Sequence, residues 1–169
     1  MPSLKKILHL SLVLLALSFA VSVPAKNAPV AQKDEPKSLV QWMDYGAALE
    51  KAKTEPRLIF VDLYADWCVP CRIMDANVYN NPTVASILNT KFYAVKLDAD
   101  SQDSIVCDGK KNTVQRCYFD VWELHALPAF VLVAPKGMSI LTVTDSMSPE
   151  ELRYMLYQFL EKEKEWISR

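Results

Sequence analysis

Histidine and clustered basic residues are both scarce in this sequence. The chain has two histidines, and only His125 lies beyond residue 25. Its 19 lysines and arginines are scattered, with no basic stripe between aromatic side chains, so a nucleic-acid interface is not indicated. Internal repeats and low-complexity segments are also lacking. What is present, 169 residues of which 51% are hydrophobic and 23% charged, fits a single globular domain with a substantial core.

The first 25 residues have the pattern of a secretory signal peptide. Two lysines, Lys5 and Lys6, precede an apolar run over residues 7–21, and residues 23–25 form an A-x-A-like cleavage site before Lys26. Residues 18–20 are a second candidate site. An uncleaved anchor is the alternative, but the run is shorter than the roughly 20 residues that span a bilayer. No cysteine lies near the site, which argues against a lipid-modified N-terminus.

Export would place the protein in the periplasm, without stable membrane insertion after cleavage. Residues 26–37 carry two prolines and no apolar period, which predicts a flexible leader. Residues 38–169 form the expected domain, with a polar insertion loop at about 101–117.

Helical and strand patterns alternate along this domain. Strands are expected at 57–65, 92–100, 128–134 and 139–145, and helices at 44–55, 72–79, from 82, about 114–124 and from 149. The last helix is marked by a capping box, in which Ser148 is followed three residues later by Glu151. The alternation predicts an α/β fold with a central sheet flanked by helices.

A C-x-x-C sequence, Cys68 to Cys71, lies where a buried-type strand passes into a helix. The unpaired N–H groups at a helix N-terminus favour a thiolate over a thiol, so Cys68 is the expected attacking sulfur. Cys71 lies one turn later, where it can close a small disulfide and release a bound partner. Pro70 falls in the first helical turn, where its missing N–H is tolerated.

Other uses of a C-x-x-C pair are less well supported. A zinc site would need a second half, but Cys107 and Cys117 are too far apart in sequence and only His125 is at hand. Haem attachment requires histidine after the second cysteine, where this chain has Arg72. A purely structural bridge across so short a loop contributes little. A redox pair is favoured, with zinc and an inert bridge left open.

Cys107 and Cys117 form a second local pair in an exported chain, where disulfides persist. We interpret this pair as a structural disulfide that closes the insertion loop. A second redox pair and two free thiols are the alternatives.

Three motifs in the sequence resemble the thioredoxin superfamily. They are VDLYADWCVPC, the lysine in AVKLDAD and the proline that opens PAFVLV. The form YADWCVPCRIMD, with NPTVASILN after it, is most similar to exported thioredoxin-like domains of the DsbD C-terminal type. The similarity spans about residues 44–159 and implies a thioredoxin-like fold with a mixed sheet.

The resemblance implies roles for four residues. Cys68 would be the nucleophile and Cys71 the resolving thiol. Asp62 matches the buried acid that exchanges the proton of the resolving thiol, and apolar neighbours would raise its pKa toward neutrality. Lys96 matches the lysine beside that acid. A solvent-exposed Asp62 and an ordinary surface Lys96 are the alternatives.

The resemblance also implies a substrate-binding surface. Trp67 would line it beside the first cysteine, although packing alone could explain this residue. Pro128 would follow a cis peptide bond and leave the backbone of Leu127 free to pair with an extended substrate. The chain departs from the common pattern at four positions, which are Val69, Glu123, Ala126 and Ala129.

The expected function is therefore that of a thiol:disulfide oxidoreductase that acts by mixed-disulfide exchange, with no metal or organic cofactor. Proline before the second cysteine resembles the reducing members of the superfamily. The expected partners are oxidised exported proteins, with apocytochrome c as one candidate, and a membrane thiol-electron donor of the DsbD type. A disulfide oxidase or isomerase, and a non-catalytic thioredoxin-fold binding module, are the alternatives.

Overall fold

A computed structural model describes residues 38–167, which fall in one compact unit. The expected signal peptide, residues 1–25, and leader, residues 26–37, lie outside the described residues and stay predictions. In the part of the chain that is described, no helix has the length and apolarity needed to cross a membrane.

Residues 38–167 form six strands and six α-helices. The strands are β1 (Ile59–Tyr64), β2 (Tyr93–Asp98), β3 (Ser104–Cys107), β4 (Lys110–Thr113), β5 (Ala129–Val133) and β6 (Ser139–Thr144). The helices are α1 (Tyr45–Thr54), α2 (Val69–Met74), α3 (Pro82–Lys91), α4 (Val114–Arg116), α5 (Pro149–Glu161) and α6 (Glu163–Ile167). Two π-helical turns, Asp75–Tyr79 and Cys117–Val121, directly continue α2 and α4.

The main sheet has the strand order β2-β1-β5-β6. β2 runs parallel to β1, whereas β5 is antiparallel to both β1 and β6. The two central strands are the continuous apolar runs of the sequence, and every residue in them except the half-buried Tyr64 is buried. The prediction of a mixed α/β sheet with covered faces is confirmed.

Side chains of β1 alternate between two apolar layers. Ile59, Val61 and Leu63 face a layer that contains α1 and the second cysteine pair. Phe60 faces the opposite layer, which is built largely from α3, α5 and the π-helical turn after α2. Asp62 shares the Phe60 face, so it is an acidic residue on one of the two buried central strands of the sheet.

Side-chain caps begin the helices where the sequence predicts them. Asp44 accepts a hydrogen bond from the Ala47 N–H at the start of α1, and Asn81 caps α3 ahead of a proline. Ser148 and Glu151 form the expected reciprocal capping box of α5. These caps satisfy N–H groups that have no partner within the helix.

The polar insertion loop expected at about 101–117 contains regular structure. The segment contains an antiparallel hairpin of β3 and β4, with Asp108 and Gly109 at its turn at φ 46° and 76°. Asp-Gly is a preferred pair for a two-residue hairpin turn, because both positions need positive φ. The helix expected at 114–124 is also shorter, since α4 and its π-helical turn end at Val121.

The second cysteine pair joins this hairpin to the turn after α4. Cys107 and Cys117 form a disulfide with a Cα–Cα distance of 6.0 Å. Both residues are fully buried in the layer that contains α1. The turn residue Asp108 is held in addition, because it accepts a 2.8 Å hydrogen bond from the Ser139 hydroxyl on β6.

Replacement of both Cys107 and Cys117 by Ala should lower the free energy of unfolding by about 2–4 kcal/mol, because a closed loop in the unfolded chain and two packed sulfurs are lost. Urea titration followed by circular dichroism measures the change. Lys111→Ala, at an exposed position of the same hairpin, is the control. Equal stability of the double variant and the parent would rule out a stabilising role for this bridge.

Candidate active site

Cys68 and Cys71 form a disulfide at the start of α2. Cys68 is the N-cap residue of this helix, and its Cα lies 5.3 Å from that of Cys71. The Cys71 N–H donates to the Cys68 sulfur over 3.1 Å. An N–H group aimed at this sulfur stabilises negative charge on it once the disulfide is reduced.

The disulfide is nearly buried, with Cys68 2% and Cys71 4% exposed. It packs against Ala65 and the half-buried Leu127. The peptide bond between Leu127 and Pro128 is cis. The structure therefore brings together the C-x-x-C turn and the Leu127–Pro128 segment, two features that are far apart in sequence.

Exposed apolar side chains lie close to the two cysteines in sequence. Trp67, Val69 and Ile73 are each more than half exposed, and Trp67 is 67% exposed. The Trp67 indole N–H donates to the Asp100 carboxylate over 2.7 Å. This contact fixes a large apolar ring at the surface beside Cys68. Asp100 was not identified from the sequence as part of the site.

Asp62 is buried, with 3% of its surface exposed. Its Oδ1 accepts a 2.7 Å hydrogen bond from the Tyr79 hydroxyl, and its Oδ2 lies 3.2 Å from the Lys96 ammonium. Burial raises the pKa of Asp62 to about 6, against the opposing influence of Lys96 and Tyr79. A group of this kind exchanges protons near neutral pH.

Lys96 lies beside Asp62 because the two residues are paired in register on adjacent strands. Its ammonium also forms an ion pair with Asp75 on the π-helical turn after α2. The rings of Trp42, Tyr64 and Tyr79 lie 5.0–5.5 Å from the Lys96 nitrogen. Burial alone would lower the pKa of Lys96, but the two carboxylates outweigh it and raise that pKa. Lys96 therefore stays charged.

Three residues of this network, Trp42, Asp75 and Tyr79, were missed by sequence reasoning. Asp75 and Tyr79 are four residues apart on a helix, and this spacing places side chains on one face. This spacing could have been recognised in the sequence. Their approach to Lys96 and Asp62 also depends on a π-helical turn, which no local pattern in the sequence indicates.

The arrangement is suited to thiol–disulfide exchange. A stabilised Cys68 thiolate can attack a disulfide, and Cys71 is positioned to displace the partner from Cys68. Among residues 38–167, all four cysteines are in disulfides, and no group of three or more acidic, histidine or cysteine side chains could hold a metal ion.

Comparison with known proteins identifies the family. The family model Thioredox_DsbH, described as "Protein of unknown function, DUF255", matches residues 26–162. The chain belongs to this thioredoxin-like family. Two solved structures show the same fold as this family member, a thioredoxin from Thermus thermophilus and a protein named "DsbH Oxidoreductase". The thioredoxin has a TM-score of 0.59 at 22% identity, and the match covers 73% of this chain and 89% of the thioredoxin. The protein named DsbH Oxidoreductase has a TM-score of 0.57 at 16% identity, and the match covers 72% of this chain and 85% of that protein.

A curated relative of this DsbH-family chain is "Thiol:disulfide interchange protein DsbD 1" of Pseudomonas aeruginosa. It is 29% identical over 117 residues, which cover 69% of this chain but only 18% of the relative. The family and the fold confirm the prediction of a thioredoxin-like domain, and the two cysteines of the C-x-x-C sequence form a disulfide in it.

Asp62→Asn should stabilise this DsbH-family protein above pH 6. The folded-state pKa of Asp62, about 6, exceeds its ordinary value of 3.8, so the folded state holds a proton that the unfolded chain releases at lower pH. Stability therefore falls as the pH rises through 4 to 6. The variant avoids this loss and should gain about 1–3 kcal/mol at pH 7–8.

Urea titrations of both proteins at pH 4, 6 and 8 measure this difference. Asp145→Asn, at an exposed position, is the matched control. A stability difference between Asp62→Asn and the parent that stays constant from pH 4 to pH 8 would contradict the prediction.

Proposed function

We propose that the protein is a periplasmic thiol:disulfide reductase of exported proteins. The observation that carries the proposal is the Cys68–Cys71 disulfide at the start of α2, with the Cys71 N–H directed at the Cys68 sulfur. A thiolate at Cys68 is the species that this geometry stabilises, and a thiolate is the nucleophile of disulfide exchange.

The reaction has two steps that together transfer two electrons. The Cys68 thiolate attacks the disulfide of a partner, which forms a mixed disulfide and releases one partner thiolate. The Cys71 thiol then gives its proton to the Asp62 carboxylate and attacks the Cys68 sulfur. The second partner thiolate leaves, so the partner is reduced and the Cys68–Cys71 disulfide is restored. In this proposal Lys96 holds Asp62 in place and balances its charge.

Trp67, Leu127 and Pro128 form the proposed substrate-binding surface. Trp67 is exposed and held by Asp100, so its ring is available to a docking polypeptide. Leu127 packs on the disulfide, and the backbone next to the cis bond can pair with an extended chain. Such pairing recognises backbone, which suits a protein that serves several partners.

Two considerations support the reducing direction and the partners. Pro70, between the cysteines, resembles the arrangement in reducing members of the superfamily. The relative in Pseudomonas aeruginosa is named a thiol:disulfide interchange protein, and a membrane thiol-electron donor of the DsbD type would re-reduce Cys68 and Cys71. Oxidised exported proteins, with apocytochrome c as one candidate, would be the substrates.

The Cys68–Cys71 couple should have a reduction potential near about −270 mV, at the thioredoxin end of the range. Titration against dithiol buffers, followed by tryptophan fluorescence, measures it. The variant with Ala at both Cys107 and Cys117 is the control, because it lacks the second disulfide and only the Cys68–Cys71 couple can titrate. A Cys68→Ser variant should lose the transition and all reductase activity.

Other results would replace the proposal. A potential near about −120 mV would make the protein an oxidant. Isomerase activity on a scrambled protein, without net reduction, would favour an isomerase. If the parent showed no reversible two-electron transition and Cys68→Ser still bound the partner, a binding module would be the better description.

Export should remove residues 1–25, because the site before Lys26 has the small residues that signal peptidase requires. Intact mass of the protein from a periplasmic fraction should correspond to residues 26–169. Ala25→Arg, which replaces a small residue at the site, should retain the extra mass. Recovery of the parent only from membranes at full-length mass would overturn this assignment.

A further inference from the structure

Tyr79 is a buried titratable group for which the proposed reaction has no use. It closes the π-helical turn after α2, and its side chain is 1% exposed. Its ring makes edge contacts with Trp42 and Phe60, at centroid distances of 5.1 and 6.2 Å. These contacts hold the ring, and its hydroxyl donates to Asp62 Oδ1 over 2.7 Å.

The two oxygens of Asp62 have different partners. Oδ2 faces the Lys96 ammonium, which Asp75 shares. Oδ1 has the Tyr79 hydroxyl, and this donor has no second acceptor among the hydrogen bonds of the described residues. The titratable groups that face Asp62 are thus Lys96 from β2, and Asp75 and Tyr79 from the π-helical turn.

Tyr79 remains a donor over the working pH range. Burial, and then the neighbouring Asp62 carboxylate, raise the pKa of the Tyr79 phenol well above its ordinary value. The phenol therefore keeps its proton when Asp62 is ionised. A fixed donor that does not titrate can select one orientation of the carboxylate.

We propose that Tyr79 is a positioning residue for Asp62: its hydroxyl holds Oδ1 and so sets the orientation and charge of the carboxylate that exchanges a proton with Cys71. The inference rests on the proposed function, because it assumes that Asp62 is the proton acceptor. Tyr79 itself exchanges no proton and touches no substrate. The helical segment that begins at the cysteines therefore ends at Tyr79, the residue that binds the Asp62 carboxylate.

The test uses the dithiothreitol-reduced protein and the aromatic disulfide 5,5′-dithiobis(2-nitrobenzoic acid) at substoichiometric concentration. Attack by Cys68 cleaves the reagent and releases one coloured thiolate. Attack by Cys71 on the mixed disulfide releases the second, while the Cys71 proton passes to Asp62. Stopped-flow absorbance separates the two releases, and their rates are measured from pH 5 to 9.

The rate of the second release should fall at acidic pH, where Asp62 is protonated, and this part of the pH–rate profile is its acidic limb. In Tyr79→Phe the acidic limb should move to higher pH by about one unit, because a hydrogen bond to the ionised carboxylate is lost. The first release should change less than twofold. Tyr45→Phe is the matched control, since Tyr45 is equally buried but its hydroxyl has no partner within the described residues and it lies on the opposite face of the sheet. It should leave both releases unchanged.

Incorporation of 3-fluorotyrosine provides a second measurement if Tyr79→Phe does not fold. Fluorination strengthens the phenol as a donor at nearly constant volume, so the acidic limb should move to lower pH. An unshifted limb in Tyr79→Phe, or in the fluorinated protein, overturns the inference.

Asp62→Asn separates this inference from the proposed function. If Asp62→Asn removes the acidic limb but Tyr79→Phe does not shift it, Asp62 keeps its role and Tyr79 only packs. If Asp62→Asn leaves the limb in place, Asp62 is not the proton acceptor and both proposals about the proton fail. Loss of the first release in Cys68→Ser checks the exchange chemistry independently of either.

Discussion

Burial of the Asp62 carboxylate on the central strand β1 of the four-stranded sheet constrains the elements around it. A charged group taken out of water is strongly destabilising unless other groups supply hydrogen bonds and opposite charge. Here Lys96 comes from the neighbouring strand and Tyr79 from the helix that carries the cysteines. Strand register, helix geometry and the position of Trp42 over the Lys96 ammonium are all tied to this one carboxylate.

The same arrangement balances two opposing effects. Burial favours the neutral acid, whereas Lys96 and Tyr79 favour the carboxylate. Burial outweighs the two partners, which limit the rise, so the pKa of Asp62 is about 6 and the carboxyl can exchange its proton near neutral pH. A site of this kind is sensitive to its supports, because loss of either donor shifts the balance without any change to the cysteines themselves.

Much of the fold could be predicted from local patterns. The continuous apolar runs became β1 and β5, and Ser148 with Glu151 began α5. The β3–β4 hairpin was missed although Asp108–Gly109 is a turn signal, because the surrounding polar residues outweighed it. In the site, Cys68 and Cys71 follow from their spacing. Tyr79 does not, since its contact with Asp62 requires tertiary packing and a π-helical turn.

That π-helical turn has a consequence for how this site can vary between related chains. A π turn holds one more residue between hydrogen-bonded groups than an α turn, and it can arise from a single inserted residue. Deletion of one residue between Met74 and Tyr79 would restore a regular helix but rotate everything after it by about 100°. The phenol would then leave the carboxylate while the cysteines kept their places. The number of residues in this helix, as much as their identity, therefore decides whether a hydroxyl can bind the Asp62 carboxylate.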